Sequence, residues 1–200
     1  MASINYALKE ISCKIVYYGP GMCGKTTNLQ HVHLHTEPGK RGNMVSLATP
    51  GERTLFFDFL PLEAARIHGF GTKFQVYTVP GQVMYNSTRR LVLRGVDGVI
   101  FVCDSQWEKM RENLESFRNL VENLASYGYN LETTPYVVQY NKRDLPNIAP
   151  VEYLQYVINP RQVPSFEAVA IEGQGVFDSL SAVCSLVVAS LSRKQKTGVM

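Results

Sequence analysis

Cysteine is scarce and unpatterned in this 200-residue chain: Cys13, Cys23, Cys103 and Cys184 stand far apart, with no C-x-x-C pair. That spacing excludes the common zinc cage and the redox dithiol, and it suits a reducing compartment. Long apolar runs are missing as well. The longest, Val99 to Cys103, is far below the ~20 residues a bilayer span requires, and Met1 to Lys14 mixes polar and apolar types unlike a signal peptide. The expectation is a cytoplasmic chain, neither exported nor membrane-spanning. It starts Met-Ala rather than Met-Gly and ends Thr197-Gly198-Val199-Met200 without a cysteine four from the end, so no direct membrane anchor by myristoyl or prenyl groups is expected. Charge of one sign is lacking too. Twenty Lys and Arg against 17 Asp and Glu leave a net charge of +3, no field that points to nucleic acid or anionic lipid. No internal repeat, linker or low-complexity tract interrupts the chain.

What is present is an ordinary globular composition, 45% hydrophobic and 18% charged, which excludes disorder, collagen and coiled coil. The length suits a single domain spanning residues 1–200, with a basic tail from about 192. Cys13 to Tyr18 is a short apolar run that stops at Gly19, a strand feeding a tight loop, and a helix is expected from about Lys25. Thr54 to Leu60 and Lys73 to Thr78 read as strands joined through Gly69 and Gly71, an antiparallel hairpin. Val99 to Cys103 and Tyr136 to Tyr140 lack alternation, as central parallel strands buried on both faces do, and Phe166 to Ala170 is a further strand. Ser105 and Glu108 form a Ser-x-x-Glu capping box ahead of Met110, Leu114, Phe117, Leu120, Leu124 and Tyr127, an amphipathic helix running to Gly128. Phe177, Leu180, Cys184, Val187 and Leu191 give a closing helix. This order predicts an α/β fold, a mostly parallel six-stranded sheet with helices on both faces and one antiparallel hairpin strand, with ligands beyond the carboxyl ends of the strands.

Two motifs carry chemistry. Gly19-Pro20-Gly21-Met22-Cys23-Gly24-Lys25-Thr26 satisfies G-x-x-x-x-G-K-[ST] between a predicted strand and a predicted helix. Glycines there let backbone N–H groups turn onto phosphates, the lysine ammonium neutralises the outer phosphates, and the Thr26 hydroxyl holds magnesium. Asn141-Lys142-Arg143-Asp144 ends a buried strand, where Asp144 can accept two hydrogen bonds from guanine N1–H and its exocyclic amine while Asn141 holds the loop and the ring edge. Adenine offers no N1–H, and a carboxylate left unpaired discriminates by ~10⁴-fold or more. Together the motifs point to GTP. An ATP-dependent kinase or transport ATPase is disfavoured by Asn141 and Asp144.

On these residues, with Lys14 to Gly21, Arg53 through Pro61, Tyr77 to Val83, Arg94 to Gly98 and Gln139 through Pro146, the chain resembles the Ras-like small GTPases and, among them, the bacterial MglA group of polarity and gliding-motility GTPases. The resemblance covers nearly everything before the strand at Val169. It implies that Gly19, Gly21, Cys23, Gly24, Lys25, Thr26, Thr27, Thr54, Gly81, Asn141, Lys142, Asp144 and Ala170 bind GTP or GDP, with Thr26 and Thr54 on Mg2+. In particular, Thr54 matches the first-switch threonine, Gly81 the glycine whose N–H meets the γ-phosphate, and Ala170 the amide on the guanine oxygen. Gln82 matches the glutamine that orients water, and Arg53 an arginine finger held in the same chain. One departure is Thr78, which stands where most Ras-like proteins carry an aspartate, so a carboxylate near magnesium is expected to be missing.

The implied function is a molecular switch that hydrolyses GTP slowly, stimulated by an MglB-like Roadblock-fold dimer, and recruits polarity or motility effectors at a cell pole. The rival reading is a nucleotide-loaded scaffold with negligible turnover, motivated by Thr78. Cys23, close to a helix N-terminus, is expected either to be a thiolate shielded by nucleotide or to point into the core under the loop. His31 and His35 share a helix face at metal-ligand spacing without a third ligand, which reads as a solvated face. Leu55, Phe57 and Phe59 read as core packing or as an effector-binding edge, and Arg193, Lys194 and Lys196 as a solvated basic tail.

Overall fold

The structure, a computed structural model, describes residues 2–49, 53–67, 69–82 and 85–196. Its strands are β1 (Ser3–Asn5), β2 (Glu10–Tyr18), β3 (Val45–Thr49), β4 (Arg53–Ile67), β5 (Phe70–Thr78), β6 (Gly98–Asp104), β7 (Tyr136–Asn141) and β8 (Ser165–Glu167). The helices are α1 (Lys25–His35), α2 (Asn86–Leu93), α3 (Met110–Ala125), α4 (Val151–Ile158) and α5 (Val176–Lys196). The sheet runs β3-β4-β5-β2-β6-β7-β8, with β1 added beside β2. Pairing is parallel from β5 through β2, β6 and β7 to β8, and antiparallel for β1, β3 and β4. The mostly parallel α/β sheet is therefore as expected, but its described strands number eight rather than six. The two extra strands are short, β1 pairing with the start of β2 and β3 lying at the edge beside β4, with no apolar run to announce them.

Alternation along the central strands builds two cores. On one face Ile11, Cys13, Ile15 and Tyr17 of β2 join Ile100 and Val102 of β6 under Leu29 and Val32 of α1 and Leu180, Val183 and Val187 of α5. On the other, Val16 and Tyr18 join Val99, Phe101 and Cys103 beneath Leu93 of α2, Leu120 and Leu124 of α3, and Leu154 and Ile158 of α4. Burial of both faces explains why β6 and β7 read as continuous apolar runs. By length and composition alone the window Val176–Arg193 of α5 could cross a membrane, with mean hydropathy 1.4. In the fold its stripe of Val176, Leu180, Val183 and Val187 is spent on the sheet.

Local details depart from the sequence reading. The capping box does not form: a single 3-10 turn at Trp107–Lys109 precedes α3, and Glu108 instead accepts a hydrogen bond from Asn147 Nδ2 at 3.0 Å. Ser105 is buried, its backbone joined to Asn141 O at 3.0 Å and Ala149 N at 2.8 Å, so tertiary pairing takes precedence over the cap. The strand expected over Phe166 to Ala170 is shorter, and Ala170 lies in the turn beyond it. The neighbouring order reverses at β2, which has β5 on one side and β6 on the other, and the ligand crevice of such sheets opens beyond that point.

Candidate functional site

The loop after β2 occupies that crevice. Gly24, at φ +101, is the N-cap of α1, and Gly19 has φ +146; both lie in backbone regions that side chains rarely adopt. A Cβ on Gly19 would lie 2.9 Å from Cys23 Sγ, and one on Gly24 would strike Asn141 Nδ2. The glycines are thus required by close packing as well as by conformation. Lys25 is almost fully buried, its Nζ donating to Gly19 O at 3.0 Å and Pro20 O at 2.6 Å, and burial lowers its pKa, opposed by the nearby Cys23. A lysine so held presents a fixed, poorly hydrated charge in the glycine cradle, suited to phosphate oxygens.

Cys23 is fully buried and beside Lys25 Nζ at 3.6 Å. Burial raises its pKa despite that ammonium, so the thiolate expectation is corrected: the side chain is packed into the core under the loop.

Asn141 braces the loops, as expected of it. Its Nδ2 donates to Cys23 O at 2.8 Å and its Oδ1 accepts the Ala170 N–H at 2.9 Å, tying the phosphate loop to the turn after β8. Both side-chain functions of Asn141 are committed to protein partners, and so is the Ala170 amide. Lys142, at φ +66, pairs with Asp104 Oδ2 at 2.7 Å, an anchor on the end of β6 that the sequence reading did not pick out. Arg143 bonds Glu167 Oε2 at 2.9 Å and Ala149 O at 2.8 Å. Asp144 is left exposed between these fixed neighbours.

The carboxylate expected to be missing at Thr78 stands on the adjacent strand. Asp58 of β4 is fully buried, and its Oδ2 accepts hydrogen bonds from Thr26 Oγ1 at 2.6 Å and Thr78 Oγ1 at 2.8 Å. Its Oδ1 accepts from Ser46 Oγ at 2.5 Å, and its own N–H donates to Thr78 Oγ1 at 2.9 Å. The antiparallel register that sets Phe59 opposite Tyr77 brings Asp58 over Thr78. Sequence pattern offered one signal, an acidic residue inside an apolar strand with Leu60 and Leu62 on the same face. A hard-cation site needs oxygen donors, and this cluster of one carboxylate and the Thr26 hydroxyl supplies them, so the residues present fit Mg2+.

Gly81 packs against the phosphate loop so closely that a Cβ on it would lie 2.5 Å from Gly21 N and 2.8 Å from Pro20 O. Gln82 follows, half-buried. Arg53 and Thr54 begin β4, but their side chains lie outside the described residues. Phe57 and Phe59 pack on Tyr77, with centroids 5.8 and 4.8 Å away, so these two first-switch aromatics cover the sheet. His31 stacks on His35 at 3.9 Å and meets Phe177 edge-on, and among the described residues no cluster of three or more metal-ligating side chains occurs.

A phosphate loop at the switch point, a braced Asn-Lys-Arg-Asp turn beside it and Gly81 packed against the loop define a Ras-like small GTPase, and residues 2–187 match the family model described as "ADP-ribosylation factor family". The chain belongs to that family, and it is a guanine-nucleotide-binding GTPase. Over 193 residues, 96% of this chain and 99% of the relative, it is 56% identical to the mutual gliding-motility protein MglA of Myxococcus xanthus (strain DK1622), which places it in the MglA group.

Proposed function

We propose that the protein is a polarity or motility switch: it holds GTP or GDP with Mg2+, hydrolyses GTP slowly, and in the GTP state recruits effectors. The observation that carries the nucleotide part is the Asn141 brace, which joins the phosphate loop to the base-reading turn and leaves Asp144 free to accept from guanine. Similarity to a gliding-motility protein supports the motility part; a cytoplasmic location with recruitment to a cell pole, and an MglB-like Roadblock-fold dimer as the activating partner, complete the proposal.

In this reading the loop amides and Lys25 bind the β- and γ-phosphates, Gly81 N–H takes a γ-phosphate oxygen, and Gln82 orients the attacking water. Arg53, at the start of the first strand of the hairpin, stabilises charge that builds between the β- and γ-phosphates. Thr26, Asp58 and Thr54 would hold Mg2+, which when bound neutralises the phosphate oxygens. Reading of the base falls to Asp144, supported by Lys142, while the Ala170 N–H would have to exchange Asn141 Oδ1 for the guanine oxygen. A scaffold without turnover loses its motive, since Asp58 supplies the carboxylate that Thr78 does not.

The test is chemical. Nucleotide released from purified protein should be guanine, and Asp144→Asn should exchange preference for GTP for xanthine nucleotides in competition binding. Unchanged GTP preference in a folded variant means that another segment reads the base.

A further inference from the structure

The largest fully buried side chain in the described structure is a charged one, Arg89 of α2. Among the described residues no carboxylate lies within ion-pair distance of it. Its donors are instead spread over three acceptors: Nε to Pro80 O at 2.8 Å, one terminal nitrogen to Gly81 O, and the other to Asn119 Oδ1 of α3 at 2.8 Å. The guanidinium carbon lies 5.3 Å from the ring centroid of Tyr18, at the end of β2. A guanidinium buried without a carboxylate is costly, and an apolar side chain would fill the same space at lower cost. Stability alone does not account for an arginine here.

Peptide geometry does. In a trans peptide the C=O and the next residue's N–H point in opposite directions, and no described peptide bond is cis. With the carbonyls of Pro80 and Gly81 both turned toward Arg89, the N–H groups of Gly81 and Gln82 both point away from α2. Gly81 meets the phosphate loop at Gly21. The guanidinium is itself fixed from behind, because Asn119 accepts from Tyr18 OH at 2.6 Å and donates to Asn86 Oδ1 at 2.9 Å, while Asn123 donates to Tyr18 OH at 3.0 Å and to Asn86 Oδ1 at 2.8 Å.

We propose that Arg89 is the positioning residue of the reaction: anchored through Asn119 to α3, it turns the Gly81 and Gln82 amides onto the side from which they meet the γ-phosphate. Arg89 touches neither nucleotide nor water; it acts through Gly81 and Gln82, and the inference rests on the roles given to those two residues above. It predicts a selective defect. GDP makes no γ-phosphate contact, so its affinity is insensitive to Arg89, whereas GTP preference and hydrolysis depend on it.

Arg89→Lys keeps the charge and stem but cannot span three acceptors as a planar fork. In this variant GDP affinity should stay within a few-fold, while single-turnover GTP hydrolysis and capture of aluminium fluoride by the GDP form fall by ~10-fold or more. Asn119→Ala, which leaves Arg89 in place and removes its anchor, should show the same split in smaller degree, and it carries the test if Arg89→Lys does not fold. Gln82→Leu is measured alongside. If Gln82→Leu hydrolyses GTP normally, the underlying reading of the second switch fails. If Gln82→Leu is inactive while folded Arg89→Lys hydrolyses within two-fold of the parent, or loses GDP and GTP affinity equally, the Arg89 proposal is overturned and its role is structural.

Discussion

Asp58 sits among three hydroxyl donors, from Thr26, Ser46 and Thr78, and each of its oxygens is an acceptor in that arrangement. An amide at position 58 would present two N–H groups to hydroxyls already oriented as donors, leaving a buried polar mismatch that costs about 1–3 kcal/mol. If the carboxylate also serves Mg2+, Asp58→Asn should raise the Mg2+ concentration needed to slow exchange of a fluorescent GDP analogue by ~10-fold or more. An unchanged Mg2+ midpoint in the folded variant assigns Asp58 to packing alone. From the sequence, position 78 showed that an aspartate was absent, correctly. It could not show that another stood opposite, because cross-strand neighbours are 20 residues apart in the chain and meet only through the register of β4 on β5. Asn141 teaches the converse: its motif marked the residue, but its partners at Cys23 and Ala170 come from different loops.

Among the elements, β6 and α5 show how closely strand and helix are matched. A Cβ added to Gly98 at the start of β6 would lie 2.6 Å from Val187 Cγ2 and 2.9 Å from Val183 Cγ2, both on α5, and 3.0 Å from Ile15 Cδ1. Gly98→Ala should therefore overpack this contact and lower stability by about 1–3 kcal/mol. Gly39→Ala, where nothing lies within 4 Å, should stay within about 0.5 kcal/mol of the parent. Urea denaturation of both variants decides it, and equal midpoints for the two would refute the claim that α5 sits too close to β6 to accept a methyl group. Helix α1 starts at Lys25 as the phosphate motif demanded, and the hairpin turns at Gly69 as its glycine suggested. Short elements were harder: α2 and α4 have eight residues each, too few turns for periodicity to stand out.

At the scale of the whole molecule, the thiols of buried Cys13 and half-buried Cys184 make the fold sensitive to alkali. Burial carries Cys13 and Cys184 from a thiol's ordinary value near 9 to about 12, with Asp97 adding to the rise at Cys13 and Cys13 to that at Cys184. Unfolded, both thiols ionise above pH 9; folded, they keep their protons, so the native state binds more protons between about pH 9 and 12. Stability must then fall as pH rises through that window, by up to about 1.4 kcal/mol per pH unit for each thiol. Replacing both by alanine should flatten the dependence of the urea midpoint on pH between 8.5 and 10.5, on the order of two pH units; a slope identical to the parent's would mean that other groups, such as the tyrosines and lysines, carry it.

The sequence alone determined the chemistry that is contiguous in the chain. A glycine-rich loop between a strand and a helix, and Asn141 to Asp144 closing a buried strand, need only local spacing to be recognised, and the apolar runs of β2, β6 and β7 prescribe a parallel sheet covered on both faces. The tertiary structure decided whatever depends on residues far apart meeting. Asp58 faces Thr78 by strand register, Asp104 anchors Lys142 where two strand ends lie side by side, and Arg89 reaches the Pro80 and Gly81 carbonyls only once α2 has docked on α3. Hydrogen bonds act over about 3 Å, so no sequence separation encodes them until packing brings the donors and acceptors together.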